Sequence, residues 1–101
     1  MTSRTGESLR RTEAEIAAEK AATLGRAGER LEEALRVARA ALARLDAAAG
    51  ADERRQCLAD YERARARAGQ ERLILIIQRE AVGLRQHRVV DQQFPEPPRR
   101  S

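Results

Sequence analysis

The chain has 101 residues, of which 36% are charged and only 2% are aromatic, and its formal net charge is +4. This length predicts one domain, and the scarcity of bulky side chains disfavours a compact core built by a single chain. Basic and acidic residues are interleaved without long blocks of one sign. This pattern argues against a nucleic-acid-binding face, although nucleic-acid association stays open as an alternative function.

The cellular compartment is indicated by cysteine content and hydropathy. Cys57 is the only cysteine, so no intrachain disulfide is possible and a reducing compartment is compatible with the sequence. The first residues lack the apolar stretch of a secretory signal. The longest apolar run has five residues, far short of the roughly 20 that cross a bilayer. We expect a cytoplasmic protein without membrane contact, and the preference for Ala and Arg over Lys is typical of GC-rich bacteria.

A first helix is predicted from about residue 8 to residue 49, behind a partly helical N-terminal arm over residues 1–11. Small and apolar residues recur at alternating steps of three and four from Ala14 to Ala49, which is the seam of a coiled coil. Thr12 and the glutamate three residues later have the spacing of a capping box. Gly50 follows the seam where a left-handed cap is favoured, so a turn is predicted at residues 50–51.

A second helix is predicted from about residue 52 to residue 90, because no proline interrupts this stretch. A connection of a few residues forces two long helices to lie antiparallel. The predicted fold is therefore all-α, an αα-hairpin over residues 12–91. The predicted hairpin core consists of large side chains from both helices: Leu24, Leu31, Leu35, Leu42, Leu45, Leu58 and Tyr61.

Two glycines lie inside the first predicted helix, where each costs about 1 kcal/mol relative to alanine. The hairpin register places Gly25 and Gly28 opposite residues 73–77 of the second helix. We therefore expect glycine at these positions because the two backbones approach closely. A break of the helix near Gly25 is the alternative.

Five consecutive aliphatic residues, Leu73 to Ile77, form the most unusual stretch of the chain. The isoleucines favour a β-strand, but the helical patterns before and after this stretch favour a helix. Successive helical residues turn by about 100°, so one neighbouring helix cannot cover the stretch. We expect a second copy to complete a dimeric four-helix bundle or antiparallel coiled coil. The predicted interface contains Leu73, Ile74, Ile76, Ile77, Ala81 and Leu84.

A polar group, Gln78, Arg79 and Glu80, follows the aliphatic stretch. Polar residues beside a helical interface can fix its register, and exposure to solvent is the alternative. With Gly83 and Leu84 this group forms the pattern Q-R-E-x-x-G-L.

This pattern resembles a family of short bacterial all-helical proteins, a domain of unknown function, that carries it late in a second long helix. His87, Val90 and Pro95 match that family more loosely, Pro95 lying in its proline-containing tail. Because no activity is assigned to the family, the resemblance implies a fold and no reaction.

The last ten residues, 92–101, are predicted to be a basic tail that is distinct from the helices. Pro95, Pro97 and Pro98 disfavour helix and favour extended or polyproline geometry. Phe94 either pins this tail to the hairpin, or the tail is frayed beyond Pro97.

The sequence contains no recognisable catalytic, metal or cofactor site. His87, the only histidine, is 30 residues from Cys57, too far along one helix for the two to cooperate. No Glu-x-x-His pair and no phosphate-binding glycine loop is present. We expect a non-enzymatic interaction or scaffold module that forms a homodimer. The alternatives are a small basic nucleic-acid-associated or regulatory protein, and a chaperone-like protein that binds an unidentified protein partner.

Overall fold

The computed structural model describes residues 4–101 and contains three α-helices in this part of the chain. α1 comprises Arg4–Asp46, α2 comprises Ala51–Ala81 and α3 comprises Arg88–Gln93. Residues 38–45 of α1 pack with residues 57–64 of α2, and residues 27–35 pack with residues 68–75. α1 and α2 therefore lie antiparallel, which confirms the predicted helical hairpin. Residues 73–77 are helical, so the strand alternative is wrong.

The start of α1 differs from the prediction. The chain is already helical at Arg4, so residues 4–11 belong to α1 and do not form a separate arm, while residues 1–3 lie outside the described part. The Thr12 hydroxyl donates a hydrogen bond of 3.0 Å to the Ser8 carbonyl. This bond is typical of a threonine inside a helix. Thr12 therefore does not cap the helix, and the predicted capping box is wrong.

The connection between α1 and α2 spans residues 47–50, and α1 ends three residues earlier than predicted. The Ala49 N–H donates to the Glu53 carboxylate at 3.0 Å, which ties the connection to the first turn of α2. Gly50 has the expected positive φ, 81°, but it is the N-cap of α2 rather than the cap that ends α1. Glycine is favoured there because this backbone conformation is strained for residues with a Cβ.

The C-terminal end of α2 contradicts the prediction of a helix to residue 90, because α2 ends at Ala81. Gly83 has φ 90°, its N–H donates to the Glu80 carbonyl at 3.0 Å, and the Leu84 N–H donates to the Arg79 carbonyl at 2.9 Å. These two bonds are the Schellman motif, which satisfies the last carbonyls and turns the chain away from the helix axis. The chain then reverses, and α3 packs back on the hairpin.

The core lies between the two long helices in two clusters. Of the predicted core residues, four are buried and three are half-buried against these clusters: Leu31, Leu35, Leu45 and Tyr61, then Leu24, Leu42 and Leu58. Alanines of both helices fill the space between the larger side chains: Ala27, Ala34, Ala38, Ala41, Ala64 and Ala68. Alternation of large and small side chains lets two helices approach closely at native packing density. α3 contributes Val90, which is buried in the first cluster, and Phe94 after it packs on the same cluster.

The N-terminal part of α1 extends beyond its partner helix. At 1.5 Å per residue, α1 is about 65 Å long and α2 about 46 Å, so the molecule is a rod with extents of 78 × 19 × 15 Å. Nearly all of residues 5–22 are exposed. The predicted seam is therefore packed only from Leu24 onward, and its first members, Ala14, Ala17 and Ala21, are exposed.

The two glycines of α1 do not mark a close helix contact. α1 runs without a break through Gly25, and a Cβ placed on Gly25 or Gly28 meets no atom within 4 Å. Both expectations for these residues, a close approach of α2 and a helix break, are therefore wrong. Both glycines instead line an open cleft of about 370 Å³ between α1, the end of α2 and α3.

Candidate interaction surface

An aliphatic stripe runs along the side of α2 that faces away from α1. Leu73 and Ile77 are each 57% exposed and Ile74 is 40% exposed. Because helical residues three or four apart share a face, these side chains lie together, and Ala81 continues the stripe by one further turn. Leu84 follows the end of α2 and is also exposed, whereas Ile76 is half-buried.

The opposite side of the same helical turn holds the hairpin together. Leu75 is only 6% exposed and packs in the first cluster with Leu31 and Val90. It lies about 200° around the helix from Leu73, since each residue turns the helix by about 100°. The aliphatic run thus serves two surfaces, with one member in the core and three at the solvent-exposed outer face. We call the apolar residues of that outer face the outer stripe: Leu73, Ile74, Ile77 and Ala81.

A groove borders the outer stripe at the C-terminal end of α2, where α1 continues past that end. It has a volume of about 290 Å³ and is lined by four aliphatic and four polar residues. Its aliphatic members come from both helices: Ile16, Leu24, Ala81 and Val82. Ala81 belongs to both surfaces, so the groove and the outer stripe form one continuous apolar region near the end of α2.

The polar group after the stripe makes its contacts within the chain. The Arg79 guanidinium donates to the Gln86 carbonyl at 2.7 Å and to His87 Nδ1 at 3.4 Å. His87 Nε2 lies 3.2 Å from the Glu80 carboxylate. Since Nδ1 accepts a hydrogen bond from Arg79, the Nε2 proton can point at Glu80. Arg79 and Glu80 therefore clamp residues 82–87, the turn after α2.

The remaining member of the group, Gln78, lines the groove beside Ala81. Its register role, like that of Arg79 and Glu80, stays a prediction. His87 occupies the N-cap position of α3, although its ring makes no capping hydrogen bond there.

Residues 88–101 form a strap that runs back along the hairpin. Arg72 pairs with Asp91, Arg65 pairs with Glu96 at 3.2 Å, and the Arg65 Nε donates to the Pro97 carbonyl at 3.0 Å. The strap thus runs antiparallel to α2. The expectation of a frayed end beyond Pro97 is wrong, because side chains of α2 hold the backbone of this segment.

Two further contacts fix the last part of the strap. The Tyr61 hydroxyl donates to the Pro98 carbonyl, and the Arg54 Nη2 donates to the Ser101 backbone oxygen at 3.0 Å. Tyr61 is fully buried and its ring packs in the second cluster, so one residue joins the hairpin core to the strap. Proline-containing segments suit such docking because their extended backbone is already restricted before it binds.

The candidate chemical residues lie at opposite ends of α2. Cys57 is half-buried and packs against the second cluster near the hairpin turn. His87 contacts Glu80 at the other end of α2, so the structure does not bring the two together. Within residues 4–101, no three His, Cys, Asp or Glu side chains are arranged to hold a metal ion, and no helix is long and apolar enough to cross a membrane.

Sequence reasoning missed the residues that hold the strap and the turn. Arg54, Arg65 and Arg72 carry no motif, because each binds through geometry that the fold creates. Gly83 did carry a usable signal, since a glycine just after a run of helical residues is the usual left-handed cap. The Q-R-E-x-x-G-L segment is that cap, because Arg79, Glu80, Gly83 and Leu84 supply the two Schellman bonds.

Comparison of the chain with family models, with curated proteins and with solved structures finds no match. The resemblance of its Q-R-E-x-x-G-L segment to a bacterial helical family therefore stays a prediction. The function is accordingly inferred from the surface of the molecule itself.

Proposed function

We propose that this protein is a non-enzymatic helical interaction module of the cytoplasm, and that it pairs with a second copy through the outer stripe of α2. The observation that carries the proposal is the exposure of Leu73, Ile74 and Ile77 on one side of a helix whose other side is packed. Contiguous exposed aliphatic surfaces of this kind are typical of protein interaction sites.

A second copy fits the outer stripe in an antiparallel arrangement. With a two-fold axis near Ile77, Leu73 of one copy lies opposite Ala81 of the other, because each is four residues from Ile77. Large side chains then meet small ones on both sides of the axis. This complementarity within a single stripe favours a two-fold pair, the commonest symmetric assembly, and the four long helices of the two copies would form the predicted bundle.

The expected affinity follows from the area that is available. Full burial of a Leu or Ile side chain contributes about 1.5–3 kcal/mol. Scaled by the exposed fractions of Leu73, Ile74, Ile77 and Leu84, covering them contributes about 3–6 kcal/mol per copy and about 6–12 kcal/mol per pair. Association itself costs about 4–15 kcal/mol. We expect a reversible pair with a Kd of about 0.1 mM, which corresponds to a net gain of about 5.5 kcal/mol.

Light scattering and sedimentation over concentrations from about 10 µM to 1 mM, a range that brackets the expected Kd, test this proposal. The mass should rise from one chain towards two chains of 11.3 kDa each. Ile77→Asp places two like charges at the axis and should keep the protein monomeric. The matched control is Ala40→Asp, which adds the same charge at an exposed position of α1 away from the stripe, and it should dimerise like the wild type.

Two outcomes would contradict self-association. One is a single-chain mass up to about 1 mM, well above the expected Kd. The other is a dimer that Ile77→Asp leaves intact, because that dimer would use another surface. In the first case the outer stripe would be a site for a different protein chain, which is the chaperone-like alternative.

A further inference from the structure

The strap, residues 88–101, is held by both long helices, with most of its polar contacts on α2. Arg72 pairs with Asp91, Arg65 pairs with Glu96, and Arg65, Tyr61 and Arg54 donate hydrogen bonds to backbone oxygens of the strap, while Arg100 pairs with Asp46 of α1 at 3.7 Å. Val90 and Phe94 add apolar contacts with the first cluster. We call the surface that holds the strap, which carries Arg65 and Arg72, the strap site. None of these contacts depends on whether the strap and the strap site belong to the same chain, because an identical strap offers identical groups.

The connection between α2 and the strap is the turn over residues 82–87, which the Schellman bonds and Arg79 hold. Gly83 alone has positive φ in residues 82–87, and a Cβ at this position would meet no atom within 4 Å. No neighbouring atom therefore excludes a side chain at residue 83, and glycine is favoured there only because of its positive φ. No proline lies between residue 51 and residue 94, and the sequence pattern itself favours one helix to residue 90. A straight helix through residue 83 is accordingly a competing conformation.

We propose that two copies exchange their straps by straightening the turn at Gly83. In the exchanged pair, α2 and α3 become one continuous helix, and each strap occupies the strap site of the partner. The strap runs antiparallel to α2 within one chain. Two straightened helices that cross antiparallel near residue 82 place each strap on the partner's α2 in the same direction and register. The arrangement has two-fold symmetry and is closed.

The exchange is independent of the proposed pairing through the outer stripe. The strap binds the side of α2 that carries Arg65 and Arg72, whereas Ile77 lies on the outer stripe. Its energetic balance differs as well, because the strap contacts are the same before and after exchange. What changes is the conformation of residues 82–87, the loss of the Arg79 bonds to Gln86 and His87, and the cost of associating two chains.

Charge reversal in two full-length variants distinguishes exchange from the closed form. One variant carries Arg65→Glu and Arg72→Glu in the strap site, and the other carries Asp91→Arg and Glu96→Arg in the strap. Each variant alone places like charges against each other. Only an exchanged pair that contains one copy of each variant restores opposite charges at both ion pairs in both strap sites. Both variants also carry Ile77→Asp, so that the outer stripe cannot hold them together.

The two variants are unfolded, mixed and refolded together. The expected result is a species of two chains whose melting temperature is at least about 5 °C above that of either variant alone. Each variant mixed with the unreversed Ile77→Asp chain is the control, and it should show no such rise. A mixture that melts as the sum of its components, with single-chain mass, would overturn the proposal.

A second measurement does not require the reversed variants to fold. Gly83→Ala disfavours the positive φ of the turn and favours the straight helix, so the two-chain fraction should increase at least tenfold over the unsubstituted chain, again with Ile77→Asp present. Gly83→Asn is the matched control, since asparagine tolerates positive φ, and it should keep the two-chain fraction of the unsubstituted chain. Equal masses for the Ala and Asn variants would show that the turn does not govern exchange, and would also refute the proposal.

Discussion

Leu73 and Leu75 provide a matched pair of substitutions that tests how α2 is oriented. The two residues are chemically identical and two positions apart, yet Leu73 is 57% exposed and Leu75 is 6% exposed. Leu75 packs in the first cluster, where Leu31 and Val90 surround it. Replacing each leucine with alanine in separate variants therefore compares an exposed side chain with a buried one at the same cost in helix propensity.

The expected losses differ severalfold. Truncation of a buried leucine to alanine destabilises a protein by about 2–5 kcal/mol, because apolar contacts are lost and a cavity remains. An exposed position changes stability by about 0.5 kcal/mol or less. In a domain of this size, 1 kcal/mol corresponds to a shift of about 4–8 °C in Tm. We expect Leu75→Ala to lower Tm by about 10 °C or more and Leu73→Ala by less than about 4 °C.

Thermal and urea unfolding monitored by helical circular dichroism measures both changes. The protein should be kept at about 5 µM, where pairing through the outer stripe contributes little. If the two variants lose the same stability, or if Leu73→Ala loses more, then α2 is rotated about its axis and Leu75 does not face α1. That result would also remove the outer stripe as an exposed surface.

Three further substitutions test individual features of the fold. Tyr61→Phe removes the hydrogen bond to the Pro98 carbonyl and should lower stability by about 1 kcal/mol, with faster proteolysis of the strap; unchanged proteolysis would contradict the docked strap. Gly28→Ala adds a Cβ that meets no atom within 4 Å, so unfolding in urea should show a gain of about 1 kcal/mol, whereas a loss would mean that α2 approaches there after all. Arg79→Met removes the donors to Gln86 and His87 and should cost about 1–2 kcal/mol, measured by thermal unfolding. An unchanged Tm would show that the clamp on the turn contributes nothing.

The two long helices were predictable because their signals are local and repeated. A period of three and four residues over many turns identifies α1, and a short connection with a glycine identifies the antiparallel hairpin. The end of α2 was not predictable from the same pattern. Apolar residues continue past Gly83 with helical spacing, and a single glycine inside a helical pattern is ambiguous until its φ is known.

The candidate surface was predictable in location but not in detail. The aliphatic run indicates that one neighbouring helix cannot cover it, and the exposures of Leu73, Ile74 and Ile77 agree with this reasoning. Leu75 is the member of the run that faces α1, because it lies seven residues after Ala68 on the same side of the helix. The sequence-based prediction that the packed positions shift in phase to Leu73 and Ile77 is therefore wrong. The strap was missed because arginine side chains hold its backbone oxygens, and such contacts leave no periodic pattern.

The projecting part of α1 has a consequence for the protein's dynamics. Residues 5–22 form hydrogen bonds only along their own helix axis, while residues 27–45 of the same helix line both core clusters. Opening of an unsupported helical end requires little free energy, whereas opening of the packed part requires disruption of the whole hairpin. Amide hydrogen–deuterium exchange should therefore be fast before Leu24 and slow after it, so that a single helix spans the range from local fraying to global unfolding.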